Sequence, residues 1–104
     1  MRKILIADDE HKIVMTLEYT FRKNGYEVFI ARDGSEVLEL LKEEIPDVIL
    51  LDVMMPNVDG YTTIQEIKKQ EKLKKCKVVF LSAKTNPADI EKGLKLGADA
   101  YVTK

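Results

Sequence analysis

Short apolar runs alternate along the chain with segments in which apolar residues recur at helical spacing. The runs at 4–7 and 48–51 are apolar throughout, as is typical of parallel strands that are buried on both faces. Five strands are predicted: Ile4–Ala7, Glu27–Ile30, Val48–Leu51, Lys77–Leu81 and Ala100–Thr103. Between them, stripes such as Ile13, Leu17 and Phe21 predict four amphipathic helices.

Turn and capping residues stand at the predicted ends of the helices. In chain order these are Asn24-Gly25, Asp33-Gly34, Asp59-Gly60, Asn86-Pro87 and Gly97. The alternation of strand and helix predicts one α/β domain, with a doubly wound parallel sheet and helices on both faces. In such folds functional sites lie beyond the carboxyl ends of the strands. The polar residues at those ends are therefore the candidates for chemistry.

Four of the predicted strands end in residues that could act together. Asp8-Asp9 follow the first strand, Asp52 the third and Ser82 the fourth, and the fifth runs into Lys104. Converging carboxylates repel each other unless a cation offsets their charge, which Mg²⁺ does with one or two carboxylates and waters. The Lys104 ammonium can offset charge too. A carboxylate beside a cation, a hydroxyl and an ammonium is suited to attack phosphorus.

Each of these residues also has an ordinary structural interpretation. Asp9 could cap the first helix, and Asp8 could be a solvated strand end. Ser82 and Lys104 would each be unremarkable alone. Asp52 is harder to explain in this way, because it follows a run that should be buried, where an isolated charge is costly. The candidate site rests on the four strand ends as a set.

Composition narrows the function classes. The 104 residues suit one globular domain, with 45% hydrophobic and 34% charged residues. A net charge of −1 argues against nonspecific electrostatic binding of the domain to nucleic acid or anionic lipid. No apolar run approaches the roughly 20 residues of a membrane span, and no signal-peptide pattern is present, so we expect a cytoplasmic protein. The single cysteine, Cys76, excludes an internal disulfide and two-cysteine metal motifs.

Four segments, 4–10, 47–60, 79–83 and 97–104, resemble the receiver domain of two-component response regulators, the family of the single-domain chemotaxis regulator. The most specific is the fourteen-residue block around Asp52, which reads DVILLDVMMPNVDG. The resemblance implies the flavodoxin-like strand order 2-1-3-4-5. It also implies a signalling domain that catalyses only its own phosphorylation and dephosphorylation.

The resemblance further assigns roles around Asp52. Asp52 would accept a phosphoryl group from the phosphohistidine of a sensor histidine kinase or a phosphotransfer protein. Asp9, Asp52 and the backbone carbonyl of Met54 would ligate Mg²⁺ directly, and Asp8 would act mostly through a bound water.

Other implied roles concern the response to phosphorylation. Lys104 would pair with Asp52 and then with the phosphoryl oxygens, which the Ser82 hydroxyl and the Ala83 backbone N–H would also bind. Tyr101 would be the aromatic switch that turns inward, and the face of helix 4 and strand 5 would carry the signal.

The chain departs from the family after Lys104, where receivers usually continue with a proline and a fifth helix. We therefore expect residues 1–104 to be a receiver domain that is incomplete at its C-terminal end, with the last helix absent. Helix 1 alone cannot cover the sheet, so strands 3 to 5 should expose apolar side chains on one face. A second copy of the chain, giving a homodimer, and a C-terminal output domain outside these residues are further partners that this interpretation allows. These residues should not bind nucleic acid or membrane directly.

Three other functions fit the pattern less well. A phosphatase that forms an aspartyl-phosphate intermediate would carry Asp-x-Asp after the strand, but the second residue after Asp52 is Met54. A nucleotide-binding module would carry a glycine-rich phosphate loop, and neither G-x-G-x-x-G nor a P-loop is present. A receiver that is not phosphorylated is disfavoured because the acidic, hydroxyl and ammonium residues of the candidate site are all intact.

Overall fold

The computed structural model describes residues 2–104, which form five β-strands, four α-helices and one short 3-10 helix. The strands are β1 Lys3–Ala7, β2 Glu27–Ala31, β3 Val48–Asp52, β4 Lys77–Ser82 and β5 Ala100–Thr103. The helices are α1 His11–Lys23, α2 Gly34–Leu40, α3 Gly60–Lys68 and α4 Pro87–Lys95, and the 3-10 helix is Glu71–Leu73. The predicted alternation of strand and helix is confirmed.

All paired strands are parallel, in the order β2-β1-β3-β4-β5. The doubly wound α/β fold and the strand order expected from the resemblance are therefore both confirmed. Ala7 of β1 is in register with Leu51 of β3, and Asp52 is in register with Leu81 of β4. The carboxyl ends of the three central strands thus meet at one edge, which brings together the polar residues that follow them.

Alternating residues of β1, β2 and β3 pack into two apolar clusters on opposite faces of the sheet, and β4 and β5 contribute to the larger cluster only. The larger cluster joins Leu51 and Phe80 of the sheet to Val37 of α2 and Ile64 of α3. The smaller cluster is built around Ile4, Ile6, Val14 and Val28, and α1 covers it. The residues that end β1 and β3 are consequently anchored from both sides.

Side chains cap three of the four helices where the sequence predicted helix starts. Asp33, Asp59 and Asn86 accept hydrogen bonds from the first-turn amides of α2, α3 and α4. The residue before α1 is Glu10, which makes no such side-chain cap. The alternative in which Asp9 caps α1 is therefore wrong, and Asp9 remains available for other interactions.

The face of β4 and β5 on the α1 side exposes apolar side chains, as expected, but that expectation is wrong for β3, whose Val48 and Leu50 are partly buried against the smaller cluster. Val102 is 48% exposed, and its register partner Leu81 is partly exposed. Leu81 lines a shallow cavity of about 370 Å³ together with Ile13 and Leu17 of α1. Among residues 2–104, no helix is long and apolar enough to span a membrane.

Candidate functional site

Three aspartates converge at the carboxyl edge of the sheet. Asp8 follows β1 and Asp52 ends β3, while Asp9 lies at the entry to α1. One carboxylate oxygen from each of the three lies within 4.8 Å of the others. Asp8 and Asp52 are only 1% and 3% exposed, whereas Asp9 faces solvent. The alternative in which Asp8 is a solvated strand end is therefore wrong, and two buried carboxylates share one small volume.

Lys104 places its ammonium among these carboxylates. Its Nζ lies 3.0 Å from Asp8 Oδ2, 3.4 Å from Asp52 Oδ2 and 2.9 Å from Glu10 Oε1. The backbone N–H of Lys104 donates to the carbonyl of Ser82 at 2.8 Å, which continues the pairing of β4 and β5. This backbone contact directs the lysine side chain across the edge of the sheet toward β1 and β3.

The local charge balance is reflected in the acid–base properties of Asp52 and Lys104. Burial, together with the nearby charge of Asp8, raises the pKa of Asp52 from 3.8 to about 6, although Lys104 and the Met54 N–H oppose this rise. Burial alone would lower the pKa of Lys104, but its hydrogen bond to Glu10 and the nearby carboxylates of Asp8 and Asp52 raise it above its ordinary value. The lysine is thus fixed as a cation, and one positive charge does not fully offset its carboxylate neighbours.

A divalent cation fits the remaining charge. Among the described residues, Asp8 Oδ2 is the one buried side-chain oxygen or nitrogen without a hydrogen bond, despite lying 3.0 Å from the Lys104 ammonium. Oxygen donors from several carboxylates are the ligands that hard cations such as Mg²⁺ prefer. The donor set of Asp8, Asp9 and Asp52 is therefore chemically suited to Mg²⁺.

The loop that follows β3 turns back tightly on the strand. The N–H of Gly60 donates to the carbonyl of Val53 at 2.9 Å, and a Cβ at Gly60 would collide with the carbonyl oxygen of Asp52. The Met54 side chain is 61% exposed, while its backbone N–H donates to Asp52 Oδ1 at 3.2 Å. This loop therefore holds the Met54 backbone, not its side chain, beside Asp52.

The remaining predicted residues lie on and around the loop that follows β4. Ser82 is buried, and its hydroxyl accepts a hydrogen bond from the Lys84 N–H at 3.1 Å. The Tyr101 hydroxyl donates to the Lys84 carbonyl at 3.0 Å, and its ring packs against Phe80. Ala83, between Ser82 and Lys84 in the sequence, is exposed. Ser82 and Tyr101 thus hold the same loop from two sides, one at the acidic edge and one on β5.

The structure assembles the predicted strand-end residues and adds one that sequence reasoning missed. Glu10 makes the shortest contact to the Lys104 ammonium, yet it was not singled out as a site residue. Its position directly after Asp8-Asp9 is the sequence signal that could have identified it. His11, the one histidine of the sequence, is exposed on the first turn of α1.

Comparison with known proteins identifies close relatives in sequence and fold. The model of the response regulator receiver domain family matches residues 4–104. The receiver domain of the Francisella response regulator 1452 is 38% identical, with a TM-score of 0.91, and the match covers 100% of this chain and 84% of that one. The phosphorylated cyanobacterial phytochrome response regulator RcpA is 31% identical, with a TM-score of 0.93 and coverage of 99% and 80%. The Mn²⁺-bound form of the response regulator Rcp1 is 27% identical, with a TM-score of 0.90 and coverage of 100% and 81%.

Proposed function

The chain belongs to the response regulator receiver domain family of two-component signalling, and on that premise we propose that Asp52 accepts a phosphoryl group and thereby switches the domain. The donor is the phosphohistidine of a histidine kinase or of a phosphotransfer protein. The solved structure of RcpA in its phosphorylated form supports phosphorylation of this domain by similarity.

The observation that carries the proposal is the surroundings of the Asp52 carboxylate. It is buried at a strand end, 3.4 Å from an ammonium and close to two further carboxylates. A structural ion pair needs one partner for each charge, but here Asp8, Glu10 and Asp52 share Lys104. An excess of negative charge at one buried edge is costly unless the site receives a cation.

The transfer step uses groups that this chain supplies. A carboxylate oxygen of Asp52 attacks phosphorus, the new O–P bond forms as the P–N bond to the donor imidazole breaks, and the imidazole leaves with the electron pair of that bond. The Lys104 ammonium, the Ser82 hydroxyl and the Ala83 N–H then bind phosphoryl oxygens. Positioning and charge stabilisation of this kind supply most of the catalysis in phosphoryl transfer.

Mg²⁺ would be held by Asp9, Asp52 and the Met54 backbone carbonyl, with Asp8 contributing through a water. When bound, the ion neutralises negative charge on the phosphoryl oxygens. The Mn²⁺-bound form of Rcp1 supports a divalent cation in this family. Met54 stands where a phosphatase would carry a second carboxylate to act as acid and base. The domain therefore transfers and hydrolyses only its own phosphoryl group and does not act on free phosphoesters.

The loop that follows β4 transmits the effect of phosphorylation to the surface of the domain. A phosphoryl group on Asp52 draws the Ser82 hydroxyl toward it, which breaks the hydrogen bond between Ser82 and the Lys84 N–H. Because the Tyr101 hydroxyl donates a hydrogen bond to the carbonyl of Lys84, the tyrosine ring moves when the loop moves. The surface formed by α4 and β5 changes in consequence, and an output domain or a second copy of the chain would detect the change.

Intact-mass measurement after incubation with Mg²⁺ and a small acyl phosphate tests the proposal. We expect one added phosphoryl group on the parent chain, no product when Mg²⁺ is chelated before the acyl phosphate is added, and no product with Asp52→Asn. An unmodified parent, or equal modification of Asp52→Asn, would contradict the assignment. Rapid turnover of a free phosphoester would instead indicate a phosphatase.

A further inference from the structure

The loop between β3 and α3 is tied to the start of α2 by a side-chain hydrogen bond that spans 24 residues of sequence. Asn57 Nδ2 donates to Asp33 Oδ2 at 2.8 Å, and the other oxygen, Oδ1, accepts from the Glu36 N–H at 2.9 Å. Asp33 is only 9% exposed. Both oxygens of this carboxylate are therefore committed, one to the helix and one to the loop.

The backbone of the loop is arranged to make this contact. Among residues 2–104, Asn57 is the one residue other than glycine with a positive φ, at 65°. Asparagine tolerates this left-handed conformation better than most residues. A second tie lies beside the first, because the Gly34 N–H donates to the Val58 carbonyl at 3.0 Å, and a Cβ at Gly34 would collide with that carbonyl oxygen at 2.6 Å.

We propose that Asn57 and Asp33 form a clamp that positions residues 53–58 for metal binding, and so increases the affinity of the acidic site for Mg²⁺. The inference rests on the proposed function, in which the Met54 carbonyl is a ligand. It adds two positioning residues, neither of which belongs to the carboxylate cluster.

The clamp fills a gap in what otherwise holds this loop. At its start, the Met54 N–H is bonded to Asp52, and at its end the Gly60 N–H is bonded to Val53. Between these points Met55 is buried in the larger apolar cluster, but Met54, Pro56 and Asn57 are exposed, so the side chains on either side of Met55 do not hold the loop by packing. Without the tie to α2, the Met54 carbonyl would have to be ordered when the cation binds, and that ordering would reduce the affinity.

The electrostatics of Asp33 favour a strong contact. The hydrogen bond from the Glu36 N–H, followed by the one from Asn57, lowers the pKa of Asp33 below its ordinary value. The carboxylate is therefore ionised at neutral pH, and hydrogen bonds to an ionised acceptor are shorter and stronger than neutral ones. Residues that orient metal ligands in this indirect way commonly change metal affinity by about tenfold or more when they are mutated.

A charge-swap series tests the clamp. Asn57→Asp places two carboxylates at hydrogen-bond distance and should weaken Mg²⁺ binding by about tenfold. The double variant Asp33→Asn/Asn57→Asp restores the contact with donor and acceptor exchanged, because the new amide can donate to the new carboxylate while its oxygen still caps α2. We expect this variant to recover an affinity within about threefold of the parent. Asn57→Gly keeps the left-handed backbone and removes only the side chain, so it should resemble Asn57→Asp.

Two readouts separate positioning from general stability. Calorimetric titration with Mg²⁺ alone gives the affinity, and hydrogen exchange of the Gly34 and Gly60 amides in chelator reports loop order without metal. Exchange should be faster in Asn57→Asp and Asn57→Gly and should return to parental rates in the swap. If Asn57→Asp does not fold, Asn57→Gly carries the comparison.

Parental Mg²⁺ affinity in both single variants would overturn the clamp, as would a swap that remains as weak as Asn57→Asp. A parent that binds no Mg²⁺ would overturn the proposed function and the clamp together. The parental titration therefore distinguishes failure of the site from failure of the clamp alone.

Discussion

Replacing Asp52 by asparagine should stabilise the metal-free fold at neutral pH, although it removes the proposed phosphoryl acceptor. Burial and the charge of Asp8 raise the pKa of Asp52 from 3.8 to about 6. Ionising Asp52 is therefore electrostatically unfavourable in the folded chain. The asparagine oxygen can still accept from the Met54 N–H, and Lys104 keeps Asp8 and Glu10 as partners.

The difference between 3.8 and about 6 sets the size of the effect. It corresponds to roughly 3 kcal/mol for ionising Asp52 in the folded state, since one pH unit is worth about 1.4 kcal/mol. Solvent and salt at the sheet edge reduce this value, so we expect Asp52→Asn to raise the free energy of unfolding by about 1–2 kcal/mol at pH 7.5. A change of that size should raise Tm by roughly 5 °C or more.

The gain should depend on pH in a defined direction. Asp52 ionises near pH 3.8 in the unfolded chain and near pH 6 in the folded chain, so the folded state binds the extra proton between these values. The stability contributed by this proton is present at low pH and is lost as the pH rises through that window. The advantage of Asp52→Asn should therefore be absent below about pH 4 and complete above about pH 7.

Urea unfolding followed by circular dichroism, in chelator and at several pH values, measures this difference. Glu91→Gln is a suitable control, because it removes one carboxylate charge from the exposed face of α4. Saturating Mg²⁺ should reverse the order, since the ion stabilises the parent and binds the variant more weakly. A variant that is less stable than the parent at pH 7.5 in chelator, or a difference that is constant with pH, would refute the reasoning.

Three further substitutions test separate parts of the site. Asp9→Ala should weaken Mg²⁺ binding by about tenfold or more in a calorimetric titration and leave Tm nearly unchanged, because Asp9 is exposed; an unaltered affinity would remove Asp9 from the ligand set. Lys104→Ala should retain Mg²⁺ binding but reduce the conformational change that a small phosphodonor induces, measured by near-ultraviolet circular dichroism, because no ammonium remains beside Asp8 and Asp52. A response equal to that of the parent would show that the lysine has no part in the switch. Gly60→Ala should lower the free energy of unfolding by roughly 1–3 kcal/mol in urea, since its Cβ would collide with the Asp52 carbonyl oxygen; parental stability would mean that the loop adjusts freely.

Much of the fold could be predicted because local signals agreed with one another. The predicted strands match the structure to within one residue at each end, and β2, β3 and β4 each continue one residue further, to Ala31, Asp52 and Ser82. Hydrophobicity could not reveal the last two, because a polar side chain at a buried strand end still pairs through its backbone. The strand order came from the resemblance, since periodicity within each strand says nothing about its neighbours.

The candidate site divides in the same way. Asp8, Asp52 and Lys104 were predictable because parallel strands bring their carboxyl ends to one edge. The contact of Glu10 with Lys104 and the hydrogen bond of Asn57 with Asp33 were not, because Glu10, Asn57 and Asp33 lie in segments between strands and helices, where strand pairing does not determine which side chains meet. Such contacts depend on how loops are held in three dimensions. Asn57 within a predicted turn gave no sign of its partner.

Mapping the phosphorylated residue tests the central claim most directly. The chain would be incubated with Mg²⁺ and a phosphorylated histidine kinase, the product reduced with borohydride to convert an aspartyl phosphate to homoserine, and the peptides sequenced by mass spectrometry. We predict conversion at Asp52 alone, with none when the kinase lacks its phosphohistidine. Conversion at another aspartate, or an acid-stable phosphoryl group on a hydroxyl side chain, would contradict the proposed role of Asp52.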